Sequence, residues 1–347
     1  MVFTHAWGLR SDEWNYQVPA LAAAGLWCVL YDRRGHGRSD RPAGGYDIDT
    51  MADDLAAVIE HFDLEGVTLV AHSLGSKEVI RYLTRHGDSR VARVILVAPT
   101  TPLMRRTADN PDGIDPALIE ANYQAVAADV PKWCADFEAA RPYFGSSPGG
   151  SRGLVDWTTR MIVDTPLHVL LETYRLNANV DMRAELRKIQ VPALIIHGDQ
   201  DGSAPIGLTG RKTAELIPGA SLTVYPGAGH GLYASDHDTL NADLLAFIGA
   251  AALLTALGKR ADPDRQPLQA VHEEGPAPAQ RVRVSERDVR EPAQELPDCD
   301  LSLHPGQWRA HAVVNAVPER EVAAGLARDV EPPGIGEAAG VPVGREQ

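Results

Sequence analysis

Val67-Thr68-Leu69-Val70-Ala71-His72-Ser73-Leu74-Gly75 decides how the rest of the chain is read. Its first half is an apolar, largely β-branched run of strand character. A helical pattern begins immediately afterwards and extends over residues 74–85. A strand that passes into a helix through so few residues must turn sharply, and the positions two before and two after the central residue must be small. Gly75 meets that requirement in full, and Ala71 exceeds glycine by one methyl group. Such a turn lifts the Ser73 hydroxyl to a helix N-terminus, where free N–H groups and the helix dipole favour a developing negative charge. A serine that merely capped a helix would need neither the strand nor the small neighbours.

Outward from this turn, short apolar runs recur at residues 27–31, 67–71, 93–98, 192–197 and 222–225. Helical patterns lie among them at 51–62, 74–85, 208–217 and 238–254. Alternating strands and helices imply a mostly parallel sheet covered by helices on both faces, an α/β fold. The unbroken apolar character of the strands agrees, since parallel strands are buried on both sides. Residues 100–188 interrupt the alternation. They show helical signal at 117–128, 131–139, 155–163 and 166–176 and no strand, which reads as a helical lid over a pocket. Trp133, Phe137, Phe144, Trp157 and Met161 are the lid residues that could line that pocket, although packing within the lid is the commoner fate of such side chains.

A serine hydroxyl is a weak nucleophile until a base takes its proton. His230 is the candidate, because Pro226-Gly227-Ala228-Gly229-His230-Gly231 follows a late strand and its glycines let a loop carry the imidazole over Ser73. His72 is adjacent to Ser73, but neighbouring side chains diverge at such a turn. A carboxylate should hold the imidazole in one tautomer and stabilise its protonated form. The loop His197-Gly198-Asp199-Gln200-Asp201-Gly202 supplies two. Asp201 lies farther out along the loop and is the expected orienting acid, with Asp199 shaping the turn. An oxyanion needs two N–H donors. Leu74 N–H follows the nucleophile, and Trp7 N–H follows the short opening strand Val2-Phe3-Thr4-His5-Ala6.

Composition limits the alternatives. Thirty-three basic against 47 acidic residues give a net charge of -14, which disfavours nucleic acid or an anionic membrane as partner. Cys28, Cys134 and Cys299 are too few and too widely spaced for a disulfide framework or a zinc site. With no secretory leader visible and no apolar run of the roughly 20 residues a membrane span needs, a reducing cytoplasm is the expected location. From residue 259 to 347 the chain becomes rich in Pro, Glu, Arg and Ala and loses its long apolar runs. The expected organisation is a catalytic domain at 1–258 and a disordered tail at 259–347.

His5-Ala6-Trp7, Asp32-Arg33-Arg34-Gly35-His36-Gly37-Arg38-Ser39, the Ser73 turn, the Asp201 loop and the His230 loop stand in an order that resembles the α/β-hydrolase superfamily, in its cofactor-free (non-haem) chloroperoxidase and arylesterase branch. The resemblance spans about residues 1–250. It implies the α/β-hydrolase fold and a serine hydrolase with Ser73 as nucleophile, His230 as base and Asp201 as orienting acid. It implies a small-molecule carboxylic ester as substrate, an acyl-enzyme intermediate and no cofactor or metal. Relatives let hydrogen peroxide replace water, and the peracid formed oxidises halide in solution. The Asp32–Ser39 block has a structural role in that family. Ala6 stands where the family ordinarily has glycine, and the chain opens inside the strand that ordinarily comes third. The first two strands of the family, an edge hairpin, are then missing, which would leave residues 27–31 as an exposed edge. Lactonases and carbon–carbon bond hydrolases share the triad, and an inactive relic that serves as a binding module is the reading from another class. An intact triad argues against the relic, and Ser73 argues against dehalogenases and epoxide hydrolases, which use aspartate.

Overall fold

A computed structural model describes residues 1–249, 299–304 and 308–315 of the chain. Its strands are β1 (Val2–Thr4), β2 (Cys28–Tyr31), β3 (Val67–His72), β4 (Val91–Val97), β5 (Ala193–Gly198), β6 (Ser221–Tyr225), β7 (Cys299–His304) and β8 (Trp308–Asn315). The described helices are α1 (Val18–Ala23), α2 (Ile48–His61), α3 (Gly75–Arg85), α4 (Pro116–Ala128), α5 (Val130–Ala140), α6 (Arg152–Asp164), α7 (Leu167–Asn179), α8 (Arg183–Leu186), α9 (Gly210–Leu216), α10 (Leu232–Ser235) and α11 (His237–Ile248), with a short 3-10 helix at Ser11–Tyr16.

The strands form one sheet in the order β6-β5-β4-β3-β1-β2-β8-β7. β1 to β6 are parallel. Successive side chains of a strand point to opposite faces, and two cores result. Val2, Val29, Leu69, Val94 and Ile195 pack under α2 and α3. Phe3, Leu30, Val70, Ile95 and Ile196 pack on the other face against Trp14, Leu21, Leu240 and lid residues such as Met161 and Leu170. The α/β architecture and its mostly parallel sheet are as the alternating pattern predicts. The lid is also helical as expected, with α4 to α7 within two or three residues of the four predicted segments.

The edge of the sheet differs from expectation. β2 is not exposed: β8 pairs with it antiparallel, from Cys28↔Asn315 to Tyr31↔Ala312, and β7 pairs with β8. Part of the segment expected to be a disordered tail is therefore sheet. The physical reason is the one that made the open edge a liability, since a row of unpaired N–H and C=O groups is a template for a further strand. The boundary at residue 258 and the remaining tail segments lie outside the described residues. No described helix is long and apolar enough to cross a membrane.

Candidate active site

Ser73 is held in the left-handed region, with φ of +54°. For a residue with a β-carbon this costs about 1–3 kcal/mol and persists only where the surroundings dictate it. They do so here. Ser73 N–H donates to the Val97 carbonyl at 3.1 Å, and the Ser73 carbonyl accepts from the Ser76 hydroxyl at 2.6 Å. Gly75 cannot be larger. A β-carbon there would lie 2.2 Å from Thr4 Oγ1 and 3.0 Å from the Thr4 carbonyl oxygen. The small position after the serine thus reflects the close approach of α3 to β1.

The loops after β5 and β6 bring Asp201 and His230 together. His230 Nδ1 lies 2.7 Å from Asp201 Oδ2, with both side chains buried. Asp201 Oδ1 accepts from the N–H groups of Ser203 and Ala204, at 2.8 and 2.7 Å. Burial opposes ionisation of Asp201, but the His230 and His197 imidazoles and their hydrogen bonds outweigh it and hold the carboxyl below the usual range. Burial likewise pushes His230 below the ordinary imidazole value, against the opposing pull of Asp201. The lowered value favours the neutral imidazole, the form a general base requires. Asp199, expected to shape its own turn, has its carboxylate accept from Gly227 N–H at 2.7 Å and so joins the Asp201 loop to the His230 loop.

Ser73 and His230 line one cavity of about 470 Å³, together with Trp7, Trp133, Phe137 and Tyr174. No direct hydrogen bond joins Ser73 to His230 among the described residues; in free enzymes such contacts often tighten only once substrate is bound. The N–H groups of Trp7 and Leu74 have no acceptor among the described residues, as donors reserved for an oxyanion would. Of the five lid residues singled out, Trp133 and Phe137 line the cavity. Phe144 and Met161 are buried in the core, and Trp157 packs against it.

Several residues that shape the site carried no local signal. Arg33, buried, donates to the His5 carbonyl at 2.6 Å and to Glu78 at 2.9 Å, and so braces the turn that presents Trp7. The Asp32 carboxylate accepts from Ser11 and Arg38 N–H groups at 2.8 and 2.9 Å. His197 Nε2 lies 3.0 Å from Asp201. Tyr143 sets its ring edge-on to His230, and its carbonyl accepts from Gly231 N–H at 2.9 Å. Only the Arg33 and Asp32 contacts fall in a block whose structural role the sequence suggested.

The model of the alpha/beta hydrolase fold family matches residues 1–236. The chain is similar to a non-haem haloperoxidase of Rhodococcus erythropolis, 38% identical over 253 residues that make up 72% of this chain and 91% of that one. It is similar to a bifunctional esterase/perhydrolase of Acinetobacter calcoaceticus, 35% identical over 71% of this chain and 90% of the other. Among solved structures, a bromoperoxidase from Bacillus anthracis superposes with a TM-score of 0.68 at 33% identity, over 72% of this chain and 91% of that one.

Proposed function

We propose, from the premise that this chain belongs to the alpha/beta hydrolase fold family and to its non-haem haloperoxidase branch, that it is a serine hydrolase cleaving carboxylic esters at Ser73. The observation that carries the proposal is the 2.7 Å contact between His230 and Asp201 beside a strained serine, in a cavity sized for a small molecule.

In this reading Ser73 Oγ attacks the ester carbonyl carbon while neutral His230 accepts its proton. The tetrahedral oxyanion faces the N–H groups of Trp7 and Leu74. Asp201 holds the imidazole in the right tautomer and stabilises its protonated form. Collapse breaks the bond to the alcohol, which leaves with the proton from His230. Water, deprotonated by His230, then attacks the acyl-enzyme and releases the acid. Hydrogen peroxide in place of water gives the peracid, a side activity supported by similarity to an esterase/perhydrolase. A reducing compartment suits the free, buried Cys28 and Cys134.

The test is hydrolysis of short-chain p-nitrophenyl esters by the parent and by Ser73→Ala. The parent should turn over, and the variant should lose at least about a thousandfold in kcat. A folded parent that neither hydrolyses these esters nor is labelled at Ser73 by a fluorophosphonate would overturn the proposal.

A further inference from the structure

Glu13 has no place in the triad, yet its carboxyl lies at the junction of the segments that build the site. It projects from the 3-10 helix Ser11–Tyr16 and is fully buried. Ala6 N–H donates to both of its oxygens, at 3.2 and 3.3 Å. Ala6 immediately precedes Trp7, the proposed oxyanion donor. Glu13 Oε2 also lies 3.4 Å from Nδ1 of His72, the residue before the nucleophile. On its other side, His72 Nε2 lies 3.0 Å from the main-chain carbonyl of His230.

These contacts constrain one another. A carbonyl oxygen only accepts, so Nε2 of His72 carries a hydrogen. With that hydrogen placed, Nδ1 of a neutral His72 presents a lone pair to Glu13. A carboxylate facing a lone pair in a buried site would be repelled, so a further proton lies between the two groups. It resides on His72 as an imidazolium or on Glu13 as a carboxylic acid, and either form gives a hydrogen bond. Burial pushes the Glu13 carboxyl above its usual value, against the opposing influence of His72 and the Ala6 N–H.

We propose that Glu13 and His72 are positioning residues for the hydrolase reaction, linked through one buried hydrogen-bonded chain that runs from Ala6 N–H through Glu13 and His72 to the His230 carbonyl. The chain sets the donor at Trp7, the nucleophile at Ser73 and the base at His230 relative to each other from behind, and neither Glu13 nor His72 lines the cavity. The inference rests on the proposed esterase reading of the site. A misplacement of about 1 Å among reacting groups costs on the order of 100-fold in rate, so a link of this kind acts on kcat and leaves substrate affinity alone.

The experiment compares parent, Glu13→Met, Glu13→Gln, His72→Leu and the double variant Glu13→Met/His72→Leu, with active enzyme counted by fluorophosphonate titration and thermal midpoints measured in parallel. Methionine fills the volume but accepts nothing. Per active site it should lower kcat by on the order of 10- to 100-fold, with KM changed less than about twofold. Glutamine still accepts from Ala6 and can donate to His72 Nδ1, so it should restore kcat to within about threefold of the parent. His72→Leu should match Glu13→Met, and the double variant should be no slower than either, because the two act as a unit. Should Glu13→Met not fold, the same split of kcat from KM is read on His72→Leu. A lowered midpoint with kcat per active site unchanged would overturn the proposal and leave the pair a structural one. Multiplicative losses in the double variant would overturn it as well. A parent that neither turns over ester nor labels would remove it together with the esterase reading, and the parent's behaviour alone distinguishes that failure from the others.

Discussion

The centre of the sheet and its β2 edge are built by opposite means. At the centre, β1 and β3 lie parallel, are buried on both faces and end in the turns that carry Trp7 and Ser73. At the edge, β8 and β7 come from the far end of the chain, run antiparallel and add pairing without contributing any residue of the proposed site. The centre is over-determined, because side-chain packing, backbone approach and the strained φ at Ser73 all converge on one geometry. At the edge, β8 is joined to β2 and β7 by antiparallel main-chain ladders. The site should therefore fail steeply when the centre is disturbed and tolerate damage at the edge.

Gly75→Ala is the sharpest way to break the centre. The new methyl group would collide with Thr4 Oγ1 and press on the Thr4 carbonyl oxygen. The first obstacle is a side chain, but the second is backbone in β1 and cannot move without the sheet. The expected loss is on the order of 3 kcal/mol in denaturant unfolding, at the upper end for overpacked sites, together with most of the esterase activity. Adding Thr4→Ala removes the side-chain obstacle only and should recover part of the loss. Full recovery would mean that the backbone approach does not constrain the turn.

Ala312→Pro tests the edge. Ala312 is paired with Tyr31 on one side and Cys299 on the other, so whichever way its N–H points, proline deletes a ladder bond. The expected cost is about 1–3 kcal/mol, read as a lowered thermal midpoint and a greater tendency to associate through the freed strand. The kcat/KM of the folded fraction should stay within about twofold, as for sites that share no partners. A loss of activity as large as that of Gly75→Ala would erase the distinction between the two regions.

The same contrast explains what could be read in the sequence. The Ser73 turn, the Asp201 and His230 loops and the parallel strands were legible because each is a local pattern whose chemistry demands particular residue types at fixed spacing. The lid was legible as helix, but the fate of its aromatics was not. Phe144 and Trp133 look alike in sequence, and only the fold sends one to the core and the other to the cavity. His197 and Glu13 were illegible because their roles depend on burial, the first beside Asp201 and the second beside His72 far along the chain. Glu13 in particular lies in a polar stretch, Ser11-Asp12-Glu13, that reads as surface. The pairing of β8 with β2 spans nearly 300 residues, and the short run Ala310-His311-Ala312-Val313-Val314 is too brief among Pro- and Glu-rich neighbours to announce a strand.

The smallest expected effect is a displacement on the pH axis. In the proposed reaction the free enzyme acts through neutral His230, so kcat/KM should fall on the acid side as that imidazole takes up a proton. Two influences compete. Burial disfavours the charged ring, whereas the Asp201 carboxylate favours it; the first is the larger, and the nearby His72 and His197 rings add to it. The acid limb should therefore have its midpoint below 6.5, the ordinary value for histidine, and activity should hold as pH falls through that value before declining. Asp201 does not move the limb by its own titration, because it stays ionised well below this range. A profile of kcat/KM at constant ionic strength decides the matter, and a midpoint above 6.5 would show that the carboxylate, not burial, governs the base. Run on Ala312→Pro, the same profile should keep its midpoint, because β8 lies beyond β1 and β2 in the strand order whereas the loop that carries His230 follows β6 at the opposite edge. A shifted midpoint in that variant would mean that the ladder at β2 reaches the base loop through the sheet, and the separation between centre and edge would have to be redrawn at β1.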